Sequence, residues 1–210
     1  MAVEIKWINH ASFRISGTRI VYIDPWKIPD SPHDGNVVFI SHSHYDHCSG
    51  EDVKKVLAED GKVIGARDAI TQIGSGQAIT PGETVEVNGV KITAFPAYNP
   101  YKPFHPKANK WLGAVIELDG VKIYYAGDTD KIDEMSDLSG MDIDIALLPV
   151  GGKYTMNAPE AAKAVELIKP KAAIPYHFGD IVGSVDDAKK FAAATTCKVH
   201  ILAPGESITI

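Results

Sequence analysis

The sequence predicts an α/β (α+β) fold built as a four-layer αββα sandwich, in which helices cover the outer faces of two sheets. Two observations support this prediction. Strand-like runs are followed by helix-like runs in both halves of the chain, which implies a layered arrangement. Turn signals at Ser16-Gly17, Asn88-Gly89 and Asp119-Gly120 require antiparallel neighbours, so a single doubly wound parallel sheet is the weaker alternative.

The first half of the chain begins with three β-rich runs, at residues 3–8, 12–15 and 19–23. The apolar run at residues 36–40 is typical of a strand that is covered on both faces. Ser49, with Asp52 three residues later, is a capping pattern that predicts the start of a helix. A short strand at residues 63–65 and a hairpin of residues 83–87 and 90–95 complete this half.

The second half repeats the pattern, which suggests two similar halves. Strands are predicted at residues 114–118, 121–126, 143–150 and 172–175. Asn157 with Glu160 predicts the start of a helix that ends near Lys169-Pro170. Ser184 with Asp187 predicts a second helix, which continues through Ala194.

Length and composition limit the class of protein. The 210 residues suit one compact domain spanning residues 1–210, and 45% hydrophobic with 23% charged residues is an ordinary globular composition. Apolar runs fall short of the roughly 20 residues that a membrane helix needs. The net charge of -6 lacks the basic excess of a nucleic-acid binder, so we expect a small-molecule substrate and disfavour nucleic acid.

Cysteine usage and the N-terminal residues bear on location. Cys48 and Cys197 are too few to form a disulfide framework in a chain of this size. Residues 1–7 lack the basic and apolar pattern of a secretory signal. We therefore expect a cytoplasmic protein, and the sequence does not define its oligomeric state.

Four potential metal ligands follow the strand at residues 36–40: His42, His44, Asp46 and His47. Imidazole and carboxylate groups are ligands that zinc accepts, and a loop at a strand end can turn neighbouring side chains toward one point. One such loop could serve two ions. The alternative, surface histidines in a polar turn, is disfavoured by further histidine and aspartate residues at later strand ends.

The segment His42-Ser43-His44-Tyr45-Asp46-His47 resembles the H-x-H-x-D-H signature of the metallo-β-lactamase superfamily. The resemblance extends along nearly the whole chain, through residues 9–12, 23–26, 126–129 and 174–177. Within this superfamily, the sequence is similar to the small-hydrolase branch that contains L-ascorbate-6-phosphate lactonase. The resemblance implies a metallo-β-lactamase fold and a binuclear site that holds two divalent ions. Zinc is the favoured metal, and manganese and iron are the alternatives.

The resemblance also implies a role for each ligand. His42 and His44 would bind the first ion, Asp46 and His47 the second. Asp128 would bridge the two ions, although it could instead cap its Gly-Asp turn. His177 would complete the second site, although it could instead be a hydrogen-bonded core histidine.

The last ligand of the first ion stays open at this point. Several relatives carry a histidine in a Pro-Ala-x-His pattern, where this chain has Asn99 after Pro96-Ala97-Tyr98. His105, in the loop that follows, is the only histidine between His47 and His177 and is the favoured substitute. The alternative is weak ligation by the amide oxygen of Asn99.

Such a site predicts hydrolysis of a small ester, lactone or phosphoester by a hydroxide that bridges the two ions, with Asp46 and Asp128 fixing them. A serine nucleophile is disfavoured because no G-x-S-x-G segment occurs. The alternatives on the same fold are a phosphodiesterase or nuclease, and a di-iron redox protein. The di-iron relatives carry a carboxylate where this chain has His44.

Substrate contacts are predicted from the loops expected on the same face. Lys153, Tyr154 and Tyr176 are candidates for orienting substrate or donating a proton. The loop of residues 98–111, rich in proline and aromatic residues, either covers the site or packs on a sheet edge. Its lysines either steer an anionic substrate or are solvated surface residues: Lys102, Lys107 and Lys110. His10 is expected beside the ligands rather than among them.

Overall fold

Residues 2–210, the part of the chain that the computed structural model describes, form two seven-stranded sheets and four α-helices. The strands of the first half are β1 (Glu4–Asn9), β2 (Ser12–Ser16), β3 (Ile20–Ile23), β4 (Gly35–Ile40), β5 (Leu57–Gly65) and β6 (Gln77–Ala78). The later strands are β7 (Thr84–Val87), β8 (Val90–Pro96), β9 (Leu112–Leu118), β10 (Val121–Tyr125), β11 (Ile145–Pro149), β12 (Ala172–Tyr176), β13 (Lys198–Val199) and β14 (Ser207–Thr209).

The two sheets have matching topologies. The first has the order β14-β1-β2-β3-β4-β5-β6 and the second the order β13-β12-β11-β10-β9-β8-β7. Each is antiparallel on one side and parallel on the other, with β3 to β6 parallel in the first sheet and β10 to β13 parallel in the second. The prediction of two similar halves is therefore confirmed.

Aromatic side chains join the facing sheets. The ring of Phe13 on β2 lies 6.2 Å from that of Tyr125 on β10 and 5.6 Å from that of Tyr176 on β12. All three side chains are fully buried. Burial of large apolar side chains between the sheets is the main stabilising contribution to such a sandwich.

The helices pack against the parallel strands of the two sheets. They are α1 (Gly50–Val56), α2 (Arg67–Ile73), α3 (Ala158–Ile168) and α4 (Val185–Ala194), with short 3-10 segments at Lys107–Asn109 and Asp133–Gly140. Helix α1 contacts β4 and α2 contacts β5, whereas α3 contacts β11 and α4 contacts β12. The predicted αββα sandwich is confirmed.

The predicted helix starts are also confirmed. The Ser49 side chain accepts a hydrogen bond from the Asp52 backbone N at 3.2 Å and caps α1. Asn157 and Glu160 form a reciprocal capping box at the start of α3. At the start of α4 the Asp187 carboxylate accepts a hydrogen bond from the Ser184 backbone N at 2.9 Å.

Some elements differ from the prediction. Helix α2 was not predicted, because the residue before it is Ala66, which has no side-chain group that could cap it. The two-residue strands β6 and β13 have too little sequence to show a pattern, and they depend on their neighbours. The hairpin of β7 and β8 belongs to the second sheet, since β8 pairs with β9.

None of the helices within residues 2–210 has the length and apolar character needed to cross a membrane.

Candidate metal centre

The loop after β4 brings the first two candidate ligands together. His42 is buried, and its Nε2 lies 3.0 Å from Nδ1 of the half-buried His44. His105 approaches from the loop between β8 and β9, and ligand atoms of all three rings lie within 4.8 Å of one another. We call His42, His44 and His105 the outer group.

The position of Asn99 bears on whether Asn99 or His105 is the last ligand of the first ion. The Asn99 side-chain oxygen accepts hydrogen bonds from the His105 backbone N at 3.0 Å and from His105 Nδ1 at 2.8 Å. With its oxygen occupied in this way, Asn99 orients the ring of His105. A proton on Nδ1 leaves the lone pair of His105 on Nε2, the atom that faces the other ligands.

A second cluster lies deeper, where β1, β4 and β12 end. Asp46, His47 and His177 are all buried, and their ligand atoms lie within 4.8 Å of one another together with one from His10. We call Asp46, His47 and His177 the inner group. Nε2 of His10 lies 3.1 Å from Asp46 Oδ2 and donates a hydrogen bond to it when protonated, so His10 holds this carboxylate in place.

Asp128 lies between the two groups. Its Oδ2 is 3.2 Å from His105 Nε2 in the outer group and 3.2 Å from His177 Nε2 in the inner group, while its Oδ1 is 3.4 Å from His47 Nε2. The preceding Gly127 has a positive φ of 67°, and a Cβ there would lie 2.4 Å from the Leu112 carbonyl oxygen. Glycine thus permits the turn that points Asp128 into the centre.

Asp24, at the end of β3, anchors this arrangement from behind. Its carboxylate is fully buried and accepts hydrogen bonds from His47 Nδ1 at 2.7 Å, from the Tyr125 hydroxyl at 2.6 Å and from the Ser41 backbone N at 2.7 Å. The Ser41 hydroxyl also donates to Asp24 and lies 2.9 Å from His42 Nδ1. One carboxylate therefore fixes the orientation of both rings.

Sequence reasoning did not assign this anchoring role to Asp24. The signal that could have found it is its place at the end of β3, which runs parallel to β4 and so ends at the same edge as His42.

Three residues of the centre adopt left-handed backbone conformations. His10, Asp24 and His177 are non-glycine residues with positive φ values of 37°, 43° and 62°. Each follows the end of a strand, and such conformations cost on the order of 1–3 kcal/mol each. The surrounding structure holds these residues in their unfavourable backbone conformations, as is common at functional sites.

The pKa values of the imidazoles differ with their neighbours. Burial lowers the pKa of His42 well below its ordinary value and also lowers that of His44, which leaves both rings neutral and able to offer a lone pair. Burial would also lower the pKa of His47, but the carboxylates of Asp128 and Asp24 raise it well above the ordinary value. These carboxylates favour a cation at His47, whether a proton or a metal ion.

The two carboxylates of the centre are held in the ionised form. Burial alone would raise the pKa of Asp128, but the neighbouring His177 and His47 lower it well below its ordinary value. Burial acts in the same direction on Asp46, and the hydrogen bond with His10 together with the charge of His47 lowers its pKa to about 2. Both groups are therefore available as anionic ligands.

The donor set fits divalent metal ions. Within the described residues, four buried atoms that face the centre have no hydrogen-bond partner of acceptable geometry: His47 Nε2, His105 Nε2, His177 Nε2 and Asp128 Oδ1. These atoms lie 3.2 to 3.4 Å from the facing nitrogen or oxygen atoms without aligning with them. Lone pairs that converge on a common point rather than on each other are what a metal ion requires.

An open cleft of about 240 Å³ leads to these ligands and is lined by His44, Tyr45, Asp46, Phe104, His105, Asp128, Tyr154, His177 and Ile181. Tyr154 therefore lies where the sequence predicted a substrate contact. Lys153 lies outside the lining, with its Nζ 5.0 Å from the centre of the Tyr154 ring.

The prediction for Tyr176 needs correction. Its side chain is fully buried between the sheets, and its hydroxyl donates a hydrogen bond to the Gly127 carbonyl at 2.6 Å. Tyr176 lies at the last position of β12 with its ring toward the interior, whereas the next residue, His177, turns into the centre. We therefore assign Tyr176 to the packing beneath Asp128 and not to substrate contact.

Comparison with known families agrees with this geometry. Residues 4–177 match the model of the beta-lactamase superfamily domain. The chain belongs to the beta-lactamase superfamily. The resemblance found in the His42 to His47 segment is confirmed, together with the metallo-β-lactamase fold.

Relatives of this superfamily member span its whole length. A UPF0173 metal-dependent hydrolase from Thermococcus onnurineus is 35% identical, over 99% of this chain and 100% of the relative. A solved structure of a putative metal-dependent hydrolase from Parabacteroides distasonis superposes with a TM-score of 0.83 at 31% identity, covering 95% of this chain and 92% of that one. A metallo hydrolase from Ignicoccus hospitalis has a TM-score of 0.81 at 25% identity, covering 100% and 99%.

Proposed function

We propose that this protein is a hydrolase that uses two divalent metal ions to cleave a small ester, lactone or phosphoester. The observation that carries the proposal is the convergence of buried, unpartnered imidazole and carboxylate atoms at the base of an open cleft. The hydrolase names of full-length relatives at 35% and 31% identity support it. A site that is built only to stabilise the fold is usually closed, whereas this one opens to solvent.

We assign three histidines and a shared carboxylate to one ion, and a mixed set to the other. His42, His44 and His105 would hold the outer ion, Asp46, His47 and His177 would hold the inner ion, and Asp128 would bridge them. The distances of 3.2 Å from Asp128 Oδ2 to a histidine of each group support the bridging role. The hydrogen bond from His105 Nδ1 to Asn99 supports His105 over Asn99 as the outer ligand.

Each protein group then has a defined task. Two divalent ions held by these residues would supply a hydroxide nucleophile by lowering the pKa of water toward neutrality, and positive charge for the departing oxygen. Asp46 and Asp128 provide the anionic charge that retains the ions, and His10 and Asp24 orient Asp46 and His47. Tyr154 lines the cleft, where its hydroxyl can orient a substrate oxygen.

The donor set favours zinc. Five imidazoles and two carboxylates form a nitrogen-rich set, which suits zinc, while manganese and iron stay as alternatives because affinity alone does not choose among them. Position 44 carries an imidazole in this chain, which argues against the di-iron redox alternative.

Metal loading followed by a substrate screen tests the proposal. Purified protein loaded with zinc or manganese is assayed on lactones, phosphodiesters, thioesters and amides, with Asp46→Ala and Asp128→Ala as comparisons. We expect metal-dependent turnover of at least one class by the wild type and loss of that turnover in both variants. Equal background rates for all three proteins would refute the hydrolase assignment.

A further inference from the structure

The mouth of the cleft is apolar. Six large hydrophobic side chains are exposed within the described part of the chain, and three of them line this one cleft: Tyr45, Phe104 and Ile181, with 66%, 37% and 36% of their surface exposed. Exposed apolar side chains that cluster around a concave site mark a binding surface.

These side chains are held in place by neighbours. The ring of Phe104 packs edge-on against Tyr154, with ring centres 4.8 Å apart and planes at 81°. Tyr45 makes a similar contact with Trp26 at 5.9 Å and 75°. The cleft therefore has two aromatic walls, and Ile181 adds an aliphatic surface from the loop before α4.

The nearby cations do not face the cleft. Lys102 Nζ donates to Asp130 Oδ1 at 2.6 Å and to the Thr155 carbonyl at 2.7 Å. Lys107 Nζ donates to Glu134 Oε1 at 2.8 Å.

Three further lysines of this region also lie outside the lining, among them Lys153, whose Nζ lies over the Tyr154 ring at 5.0 Å. Lys110 lies with Lys107 on a separate surface cleft. Lys27 is paired with Asp180 at 2.7 Å. Among residues 2–210, no lysine or arginine lines the cleft, so the expectation that loop lysines steer an anionic substrate has no support in this arrangement.

The cleft is also small. Its volume of about 240 Å³ is just below the roughly 300–1,000 Å³ of pockets that hold drug-sized ligands. A substrate with one compact hydrocarbon group fits this space, whereas a charged group at the mouth, away from the metal ligands, would have to leave water without gaining a cationic side chain as a partner.

We propose that the substrate is a small, uncharged carboxylic ester or lactone whose hydrocarbon group packs between Tyr45, Phe104 and Ile181. This inference rests on the proposed hydrolase function, to which it adds the substrate class. In the reaction, water supplies a hydroxyl group to the acyl carbon and a proton to the departing oxygen. The acyl carbon–oxygen bond breaks, and the products are a carboxylic acid and an alcohol, joined in one molecule when the substrate is a lactone.

A kinetic experiment tests the substrate class. Zinc-loaded wild type, Phe104→Ala and Ile181→Ser are assayed on phenyl acetate and on phenyl phosphate, which has the same ring with a charged head group. We expect phenyl acetate to be preferred, and each substitution to raise its KM by about 10-fold while kcat changes little, since the lost contact is apolar burial. Tyr101→Ala is the matched control, because Tyr101 is on the same loop, 97% exposed and outside the cleft lining.

A binding experiment separates this inference from the hydrolase proposal. Phenylacetone, an uncharged ketone with the shape of phenyl acetate, is titrated into the same zinc-loaded proteins and followed by saturation-transfer NMR. Binding to the wild type and Tyr101→Ala, weakened in Phe104→Ala and Ile181→Ser, supports the apolar cleft even if no ester is cleaved. A preference for phenyl phosphate that is unaffected by Phe104→Ala and Ile181→Ser would overturn the inference and leave the hydrolase proposal standing.

Discussion

The outer and inner groups of the centre differ in how the fold holds them. The inner group of Asp46, His47 and His177 is buried, and hydrogen bonds with His10 and Asp24, which follow strand ends, orient Asp46 and His47. The outer group includes the half-buried His44 and depends on a loop residue, His105, which only Asn99 orients through its side chain within the described residues. We infer that the inner position is preorganised by the sheets, whereas the outer position depends on the order of a loop.

The largest expected effect comes from Asp128, because it faces both groups. Asp128→Asn removes the shared negative charge with little change in volume, so we expect loss of both ions and a fall in activity beyond the roughly 10- to 100-fold cost of an orienting residue. Elemental analysis and turnover measure the two effects. Asp142→Asn, an exposed aspartate in the loop before β11, is the control and should keep both ions.

Retention of a full complement of metal in Asp128→Asn would show that the two groups bind ions independently of a shared carboxylate.

The next largest effect is expected from Asp24. Asp24→Asn places an amide against the donors from His47, Tyr125 and Ser41, so His47 loses its orienting carboxylate directly and His42 loses it through Ser41. We expect the affinity for the inner ion to fall by roughly 10- to 100-fold and the affinity for the outer ion to fall by less. Competition with a fluorescent chelator measures both affinities.

Asp34→Asn is the matched control for this change. Asp34 also lies between β3 and β4, where it accepts hydrogen bonds from Arg14 and Tyr22 at the opposite end of the sheet from the centre. If both variants lowered metal affinity equally, the effect of Asp24→Asn would reflect general loosening of the sheet.

A smaller and more selective effect is expected from Asn99. Asn99→Ala removes the acceptor for His105 Nδ1 and leaves the inner group untouched. We expect the outer ion to be bound roughly 10-fold more weakly while the inner ion is retained, so that the metal content falls from two ions toward one per chain. Asn109→Ala, on the same loop and exposed, should change neither; loss of both ions from Asn99→Ala would contradict the difference between the groups.

The smallest effect concerns the loop beside the inner group. Asp52 accepts hydrogen bonds from the backbone N atoms of Lys27 and Ile28 and pairs with Lys55. Burial would raise the pKa of Asp52, but hydrogen bonds with Lys55, Ser49 and the Ile28 backbone lower it below its ordinary value. A carboxylate with a lowered pKa adds stability above its unfolded pKa and loses it as the pH falls through the folded one.

We therefore expect Asp52→Asn to lower the free energy of unfolding of the metal-free protein by about 1 kcal/mol or less at pH 7, since Lys55 is partly solvated. The difference from the wild type should shrink at pH 3. Urea denaturation at pH 7 and pH 3 measures the free energies of unfolding. A difference between the two proteins that is larger at pH 3 than at pH 7 would contradict the prediction.

Local patterns were sufficient to predict much of this molecule. The hairpin turns, the capping pairs and the apolar strand before His42 each depend on residues a few positions apart, so they are visible in the sequence. His105 could be proposed because Asn99 is only six positions away and replaced an expected histidine.

The features that the sequence did not predict depend on contacts between distant segments of the chain. Asp24 meets Tyr125 across 101 positions, and no local pattern shows that pairing. Tyr176 was expected in the site as part of a strand-end loop on that face, but it is the last residue of β12 and its side chain points into the interior between the sheets. The hydrogen bonds from Lys102 to Asp130 and to the Thr155 carbonyl likewise depend on tertiary structure.

The most direct test of the central claim is a crystal structure of the zinc-loaded protein with anomalous data collected at the zinc edge. We predict two peaks on either side of Asp128, one among His42, His44 and His105 and the other among Asp46, His47 and His177. A single peak, or peaks remote from Asp128, would contradict the account of a shared two-ion centre.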